Sequence, residues 1–425
     1  MYVELHASSA FSFLDGASLP ETLIDRAAEL EYPALALLDR DGVYGAPRFH
    51  KAARAAGIKP IVGCELTIAK GWKSPDVLAP VFGLWRLPVL VESQKGYRNL
   101  CRLLTRLKLE TPKGEGVLKL EDLDGFTAGL VAVVGRAALM GHRYGVGGLL
   151  DRIVGLFGRS QVYVELQRHL LRDEETDNQA LVALAEAYRV PLVATNGVRF
   201  AGADDRPLYD VQTCLRHKTT LERAGRHLVC NSERYLKSPA AMTRLFRDRP
   251  EALTTAAELA ARLDYTLDDL GYQFPAYPVP AGDTMISFLR AITDVGARER
   301  YRPYQERARR QIARELDLIE KLDLAGYFLI VWDLVNFCRQ QDILVQGRGS
   351  AANSAVCYSL GITAVDPVGM DLLFERFLSE ERNEWPDIDL DLPSGDRRER
   401  VIQYVYERYG QLGAGMTANV ITYRG

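Results

Sequence analysis

The chain has 425 residues, of which 47% are apolar and 26% charged; that suits a globular protein of two or three domains. Lys+Arg is 53 and Asp+Glu 56, a formal net charge of -3, so a strongly basic coat is excluded and a local basic groove is not. No apolar run reaches the roughly 18 residues of a membrane span. The start, Met1-Tyr-Val-Glu-Leu-His6, lacks the basic and apolar stretches of a signal peptide, so the chain is expected in the cytoplasm.

The first part alternates short apolar runs with helical patterns. Candidate strands are 34–38, 60–68, 87–91, 130–134, 162–166 and 190–195. Several are rich in Val, Ile and Leu, as in strands buried on both faces. Helical periodicity falls between them at 20–30, 46–56, 97–107 and 177–188, with Gly57 and Gly96 where helix ends or turns need glycine. Repeated strand–helix units predict a parallel sheet or barrel with reactive groups at the C-terminal strand ends. That places Asp39, Glu65, Glu165 and Asn196 on one rim.

Around Gly271–Gly282 the composition changes to a Pro-rich, extended stretch. A domain boundary is expected there: 1–270, a linker at 271–284, then 285–425. Helices follow at 284–300, 305–322 and 327–340; the middle one carries Ile312, Leu316, Ile319 and Leu322 at helical spacing, with Arg307, Arg309 and Arg310 opposite. The six cysteines, Cys64, Cys101, Cys214, Cys230, Cys338 and Cys357, form no CxxC and no zinc-ribbon spacing; they are expected reduced and buried. All six histidines lie at or before His227, so a metal bound further on must rest on carboxylates.

Two motifs carry chemistry. The first, from Ile343 through Gln346-Gly-Arg-Gly-Ser350 to Ser354, reads as a strand, a turn and a helix beginning near Ser350. Gly347 and Gly349 permit close backbone approach, Ser350 is a candidate N-cap, and Arg348 is a cation suited to phosphate. A plain strand-to-helix turn is the alternative; the Gly-Lys-Ser/Thr of a P-loop is missing. The second, Pro386-Asp-Ile-Asp-Leu-Asp-Leu392, alternates Asp387, Asp389 and Asp391 with aliphatics. At strand spacing the carboxylates share one face about 7 Å apart, an arrangement that needs a cation. Oxygen-only ligands select a hard ion, Mg²⁺ or Mn²⁺; an acidic solvent-facing edge strand is the alternative. Together the motifs have the layout of a nucleotidyltransferase: a turn for a triphosphate and carboxylates for two metals.

The stretch Gly347–Asp391, with Gly-Arg-Gly-Ser, Asp366-Pro367, Leu373-Phe-Glu-Arg-Phe-Leu378 and Pro386-Asp-Ile-Asp-Leu-Asp391, resembles the palm of the bacterial C-family polymerase, the DNA polymerase III alpha subunit. Phe11–Gly16, Gly57–Glu65, Gly96–Leu100 and Val193–Asn196 are similar to the PHP domain that opens that subunit, and Glu4–His6, Leu38–Gly42 and Leu87–Leu90 look most like its error-prone, damage-tolerance branch. The resemblance covers essentially the whole chain. It implies an α/β architecture, a PHP-type (β/α) barrel followed by a partial polymerase beta-like nucleotidyltransferase palm with helices. It implies template-directed addition of deoxynucleotides to a primer 3′ end, with Asp387 and Asp389 as the catalytic metal pair, Asp391 as third member, and Gly347, Arg348, Gly349 and Ser350 at the nucleotide. Mg²⁺ or Mn²⁺, primer–template DNA and deoxynucleoside triphosphates are the implied cofactors and partners. A sliding clamp or other damage-tolerance proteins would bind through parts beyond Gly425; the chain is expected to be an N-terminal fragment, its last residues 420–425 the middle of a palm strand and turn.

The PHP site departs from the family. Its His-x-His start is His6-Ala-Ser8, its Asp-His is Asp39-Arg40, its Asp-Val-His is Gly197-Val-Arg199, and a later histidine is Tyr209. His6, Asp15, Asp39 and Glu65 remain, an incomplete set for a multinuclear site, so no metal is expected there. A structural remnant with ion pairs, such as Asp39 with a nearby arginine, is expected in its place. His50, His142, His169, His217 and His227 read as ordinary loop or helix residues. A PHP-type phosphoesterase and a non-catalytic scaffold are the alternative functions. Arg307–Arg310 and Arg397-Arg398 are either DNA-backbone contacts or solvated helix faces.

Overall fold

The computed structural model describes residues 2–69, 84–112, 115–139, 148–268, 270, 276–379, 386–410 and 413–415; His142, Trp385 and 420–425 lie outside them. The chain divides into two compact units, Met1–Gly271 and Tyr272–Gly425.

The first unit is built on one mixed sheet. Its strands are β1 (Glu4–Ala7), β2 (Ala34–Arg40), β3 (Lys59–Ala69), β4 (Leu84–Val91), β5 (Leu118–Lys119), β6 (Leu130–Val134), β7 (Val162–Leu166) and β8 (Leu192–Ala194). The order is β1-β2-β3-β4-β6-β7-β8, with β5 on β3. A parallel bridge between Ala7 and Val198 joins the segment after β8 back to β1: Ser8 N donates to Val198 O at 2.9 Å and Val198 N to His6 O at 2.8 Å. That bridge brings the chain beyond the last strand round to the first. β2 shows how the sequence fills both faces. Leu35 and Leu37 belong to the larger apolar cluster; Ala34, Ala36 and Leu38 belong to a second one with Val3, Leu5, Val131 and Val133, as period-2 alternation requires. The helix Pro250–Arg262 adds Ala256, Leu259 and Ala260 to that second layer. Each fully buried leucine contributes about 1.5–3 kcal/mol.

The expected all-parallel sheet is corrected at β4, which runs antiparallel to both β3 and β6. The sequence between β3 and β4 carries Pro75 and Pro80 and shows no helical periodicity, the pattern that a crossover to a parallel neighbour would need. β1 and the short β5 were not legible as strands, because four and two residues are too few for periodicity to register. The cysteines are all free, but Cys101 is half-buried and Cys230 exposed, which corrects the expectation that all six are buried.

In the second unit the helices Met285–Arg300, Glu306–Lys321 and Ala325–Gln340 enclose a core that includes Leu289, Ile312, Leu316, Ile319, Phe328 and Leu329. Leu322 packs at its margin. A two-stranded antiparallel ribbon follows, β9 (Gln346–Arg348) with β10 (Asp389–Asp391). The helix Asp396–Tyr409 is held by Asp333, whose carboxylate accepts from Tyr404 at 2.9 Å, Tyr409 at 2.8 Å and Tyr277 at 3.1 Å.

Candidate functional site

The ribbon of the second unit brings the two motifs together. Asp389 pairs with Arg348, Leu390 with Gly347 and Asp391 with Gln346. Alternation then does what the spacing predicts: Ile388 and Leu390 pack against the apolar core while the acids face away from it. Arg348 Nη1 lies 3.2 Å from Asp389 Oδ2, and Arg348 Nε donates to Asp391 Oδ1 at 2.9 Å. Asp391, Asp389 and Asp387 together raise the guanidinium pKa. The cation that the acidic face requires is thus supplied within the chain by Arg348.

Both glycines are forced. A Cβ on Gly347 would lie 2.6 Å from the Ile362 carbonyl oxygen, to which Gly347 N donates at 2.8 Å. Gly349 has φ +74, and its Cβ would meet Asp389 Oδ2 at 3.6 Å. The expected helix at Ser350 is corrected. Gly349–Asn353 forms a 3₁₀ turn, and the helix is Ala355–Ser359 with Ser354 as its cap, accepting from Cys357 N at 3.1 Å. The reason is Glu315. Its buried carboxylate accepts from Ser354 Oγ at 2.7 Å and from Ala355 N and Val356 N at 3.0 Å each, which fixes the cap four residues after Ser350. Burial raises the Glu315 pKa against those hydrogen bonds. Glu315 was missed because a lone glutamate on an amphipathic helix carries no sequence signal.

Tyr327 was missed for the same reason. Its hydroxyl accepts from Ile388 N at 3.0 Å, pinning the residue between Asp387 and Asp389, and burial pushes its phenol up to about 12. Among the described residues, no group of three or more His, Cys, Asp or Glu side chains converges to hold a metal ion. Strand spacing keeps alternate aspartates apart, and Arg348 lies against two of them. Their chemistry nevertheless suits a hard cation: all are oxygen donors, and Asp387 and Asp391 are exposed with Asp389 half-buried. The broad terminal torsion of aspartate lets such groups turn toward a shared ion.

The basic helix face is paired: Arg307 with Asp371, Arg314 with Glu375, and Arg310 with Glu306 at 3.1 Å. Arg309 lies over the Tyr304 ring, and Arg397 and Arg398 are exposed.

In the first unit the remnant residues meet at the C-terminal strand ends, and arginines lie among them. His6 bridges two carboxylates, Nδ1 to Glu165 Oε1 at 2.6 Å and Nε2 to Glu65 Oε1 at 2.7 Å. Although burial opposes it, Glu165 and Glu65 push the imidazole up to about 10. Arg199 donates to Glu65 through Nη2 at 2.7 Å and Nη1 at 3.0 Å. Burial opposes ionisation of Glu65, but Arg199, His6 and Arg86 hold its pKa well below the usual range. Asp15 accepts from Arg86 and Arg216 at 2.6 Å each, with Arg40 at 3.6 Å and the Tyr209 hydroxyl at 3.3 Å. Against burial, Arg199, Arg86 and Arg216 hold its pKa at about 2.

The expected pairing of Asp39 with an arginine is corrected. Its carboxylate accepts from Ser9 N at 2.7 Å, Ser12 Oγ at 2.8 Å and Ser9 Oγ at 2.9 Å, and hydroxyl donors that close leave it saturated. Asn196 joins them only through Glu4, whose carboxylate accepts from Asn196 N and His6 N at 2.8 Å each, and its side-chain amide ties down Glu233 O and Tyr235 O. His169 is more than an ordinary loop residue: it is buried, with Nδ1 2.9 Å from Glu174 and Nε2 2.8 Å from Asn196 O. His217 and His227 stack with ring centroids 4.1 Å apart.

A family model described as the bacterial DNA polymerase III alpha NTPase domain matches residues 287–425, and one described as the PHP domain matches 4–169. The chain thus carries a PHP domain and a bacterial DNA polymerase III alpha domain, and the curated relatives it is similar to are error-prone DNA polymerases. The error-prone DNA polymerase of Mycolicibacterium paratuberculosis is 45% identical over 439 residues, covering 100% of this chain and 39% of that protein. Those of Mycobacterium bovis and Anaeromyxobacter dehalogenans are 43% and 39% identical, again over 100% of this chain and over 40% and 43% of theirs. The chain therefore spans about two fifths of the length of these curated relatives. Among solved structures, an amidohydrolase from Chromobacterium violaceum overlaps 48% of this chain and 89% of its own, at 19% identity and TM-score 0.31. The fold is α/β, with a PHP domain on a mixed half-barrel sheet and many helices.

Proposed function

We propose that this chain is the N-terminal part of a template-directed DNA polymerase of the error-prone, damage-tolerance type, extending a primer 3′ end with deoxynucleotides. The observation that carries the reading is the β9–β10 ribbon, in which a Gly-Arg-Gly-Ser turn lies directly across from an Asp-x-Asp-x-Asp strand. In this reading Asp387 and Asp389 hold the divalent ions, with Asp391 as the third carboxylate. Mg²⁺ or Mn²⁺, when bound, supplies activation of the primer hydroxyl and charge stabilisation at the leaving pyrophosphate. Gly347, Gly349 and Ser350 let backbone N–H groups approach the triphosphate, Arg348 offsets its charge, and Tyr327 holds the acidic strand in place.

The domain reading is 1–270 as a PHP-type barrel, 271–284 as a Pro-rich linker and 285–425 as the first part of the palm; the two compact units support it. Primer–template DNA and deoxynucleoside triphosphates are the substrates, and the cytoplasm is where such a polymerase meets the chromosome. Clamp or other damage-tolerance contacts belong to the portion of the relatives beyond this chain. No helix among the described residues is long and apolar enough to cross a membrane.

The test is primer extension by a chain completed to the length of its relatives. Asp387→Asn or Asp389→Asn is expected to lower extension by roughly a hundred- to a thousandfold. Extension that survives both changes removes these residues from the reaction. A folded, completed protein with no extension at all supports the scaffold reading instead.

A further inference from the structure

Three guanidiniums converge on one carboxylate at the barrel mouth. Arg86 and Arg216 each reach Asp15 at 2.6 Å and Arg40 lies 3.6 Å from it. Arg86 uses a single nitrogen, Nη1, for both Asp15 and Glu65, and Arg216 likewise bonds through Nη1 alone. The remaining N–H groups of these two forks have no partner among the described residues. Each guanidinium offers five donors in a rigid plane, so one carboxylate leaves most of them unused. The side chains of Arg40, Arg86 and Arg216 are 28%, 31% and 28% exposed, while Arg199 lies beneath them at 9%.

The contacts among these groups are unevenly shared. Glu165 is matched by protonated His6, and Asp39 is satisfied by serines. Asp15 and Glu65 are the carboxylates that Arg86, Arg199 and Arg216 contact, with Arg40 3.6 Å from Asp15; Asp39 keeps its charge among neutral hydroxyls, and Asp41 acts on Arg40. A fifth cation, Arg234, has no carboxylate or hydrogen-bond partner in contact among the described residues; burial and then Arg199 lower its pKa, while Tyr209, Glu65 and Glu174 in its field oppose them. Like charges gathered this closely, partly removed from water, are costly unless a further anion joins them.

We infer that the barrel mouth of the first unit is a metal-independent oxyanion site, taking a phosphate-type dianion on the outward N–H groups of Arg40, Arg86 and Arg216. A tetrahedral dianion suits the ligand chemistry: its oxygens accept forked guanidinium donors two at a time. Arg199 and Arg234 contribute field from behind, and Asp15 keeps the three exposed forks in register. The site does not depend on the polymerase reading, which concerns the other unit.

The test is equilibrium dialysis of the chain against radiolabelled inorganic phosphate, in EDTA and at constant ionic strength set with chloride. One saturable site is expected in the wild type and in Arg348→Gln, which removes the cation of the other candidate anion site. Arg86→Gln and Arg216→Gln are expected to bind at least tenfold more weakly, with far-ultraviolet circular dichroism unchanged. Arg216→Lys, which keeps charge but not the fork, should fall between them. A nucleoside 5′-monophosphate arm competing equally well marks the site as one for terminal phosphates; failure to compete marks it as one for the free ion. Absence of saturable binding, binding that persists in both glutamine variants, or binding abolished by Arg348→Gln would overturn the proposal.

Discussion

Arg348 and Asp389 face each other across the β9–β10 ladder, 3.2 Å apart at Nη1 and Oδ2. The pair sits on a solvent-accessible ribbon, so the ion pair itself stabilises little. Its meaning is positional: it holds the acidic strand against the glycine-flanked turn. Arg348→Gln should therefore leave the thermal transition within about 2 °C of wild type, while weakening divalent-ion-supported deoxynucleoside triphosphate binding by roughly tenfold or more. Calorimetry and nucleotide titration on the same preparation check both halves.

Glu315 carries the opposite expectation. Its carboxylate accepts from Ser354 Oγ, Ala355 N, Val356 N and Gln311 Nε2. Glu315→Ala leaves those donors buried and unpaired, at a cost of about 3–5 kcal/mol. Urea denaturation should show the loss, with Glu315→Gln intermediate because one acceptor survives.

In the barrel, Arg199 and Glu65 form a buried pair. Arg199→Met removes two hydrogen bonds and a buried charge from Glu65, leaving it His6 and Arg86, and is expected to cost about 3 kcal/mol. EDTA should leave the melting temperature of the wild-type chain unchanged, because guanidinium charge stands where metal charge would be. A melting temperature that falls on EDTA treatment contradicts this account of the barrel.

Acid sensitivity follows from the same cluster. Asp15 and Glu65 have depressed pKa values when folded. Groups of that sign contribute stability fully above their unfolded pKa, near 4, and lose it as pH falls toward the folded value. For Asp15 that window runs from about 4 to about 2. Glu4, pushed up to about 7 by burial, acts with the opposite sign at higher pH, so the measurement belongs below pH 4.5. Melting temperature should drop between pH 4.5 and 2.5, and Asp15→Asn should flatten that limb.

Patterns that repeat were legible in the sequence. The Val/Ile/Leu runs marked six of the barrel strands, and the apolar face of the helix Glu306–Lys321 was read correctly because burial imposes a period. The alternation in Asp387–Leu392 placed acids and aliphatics on opposite sides for the same reason. What could not be read were single residues whose partners lie far away in the chain. Arg216 finds Asp15 across 201 positions and Glu315 finds Ser354 across 39; no local pattern encodes either meeting. The sequence puts the N-cap at Ser350 where the structure has Ser354, because both are serines in helix-starting company and only Glu315 decides between them. Asp39 was paired with the wrong chemistry because Ser9 and Ser12 look unremarkable in sequence and become donors only once the loop after β1 folds over β2.

The central claim, that Asp387 and Asp389 hold divalent ions in front of the Gly-Arg-Gly-Ser turn, is tested most directly by Mn²⁺ binding to this chain, followed by electron paramagnetic resonance with and without a deoxynucleoside triphosphate. The account predicts bound Mn²⁺ that tightens when nucleotide is present and is lost in the Asp387→Asn/Asp389→Asn double variant. Mn²⁺ and nucleotide binding unchanged in that folded double variant would contradict it.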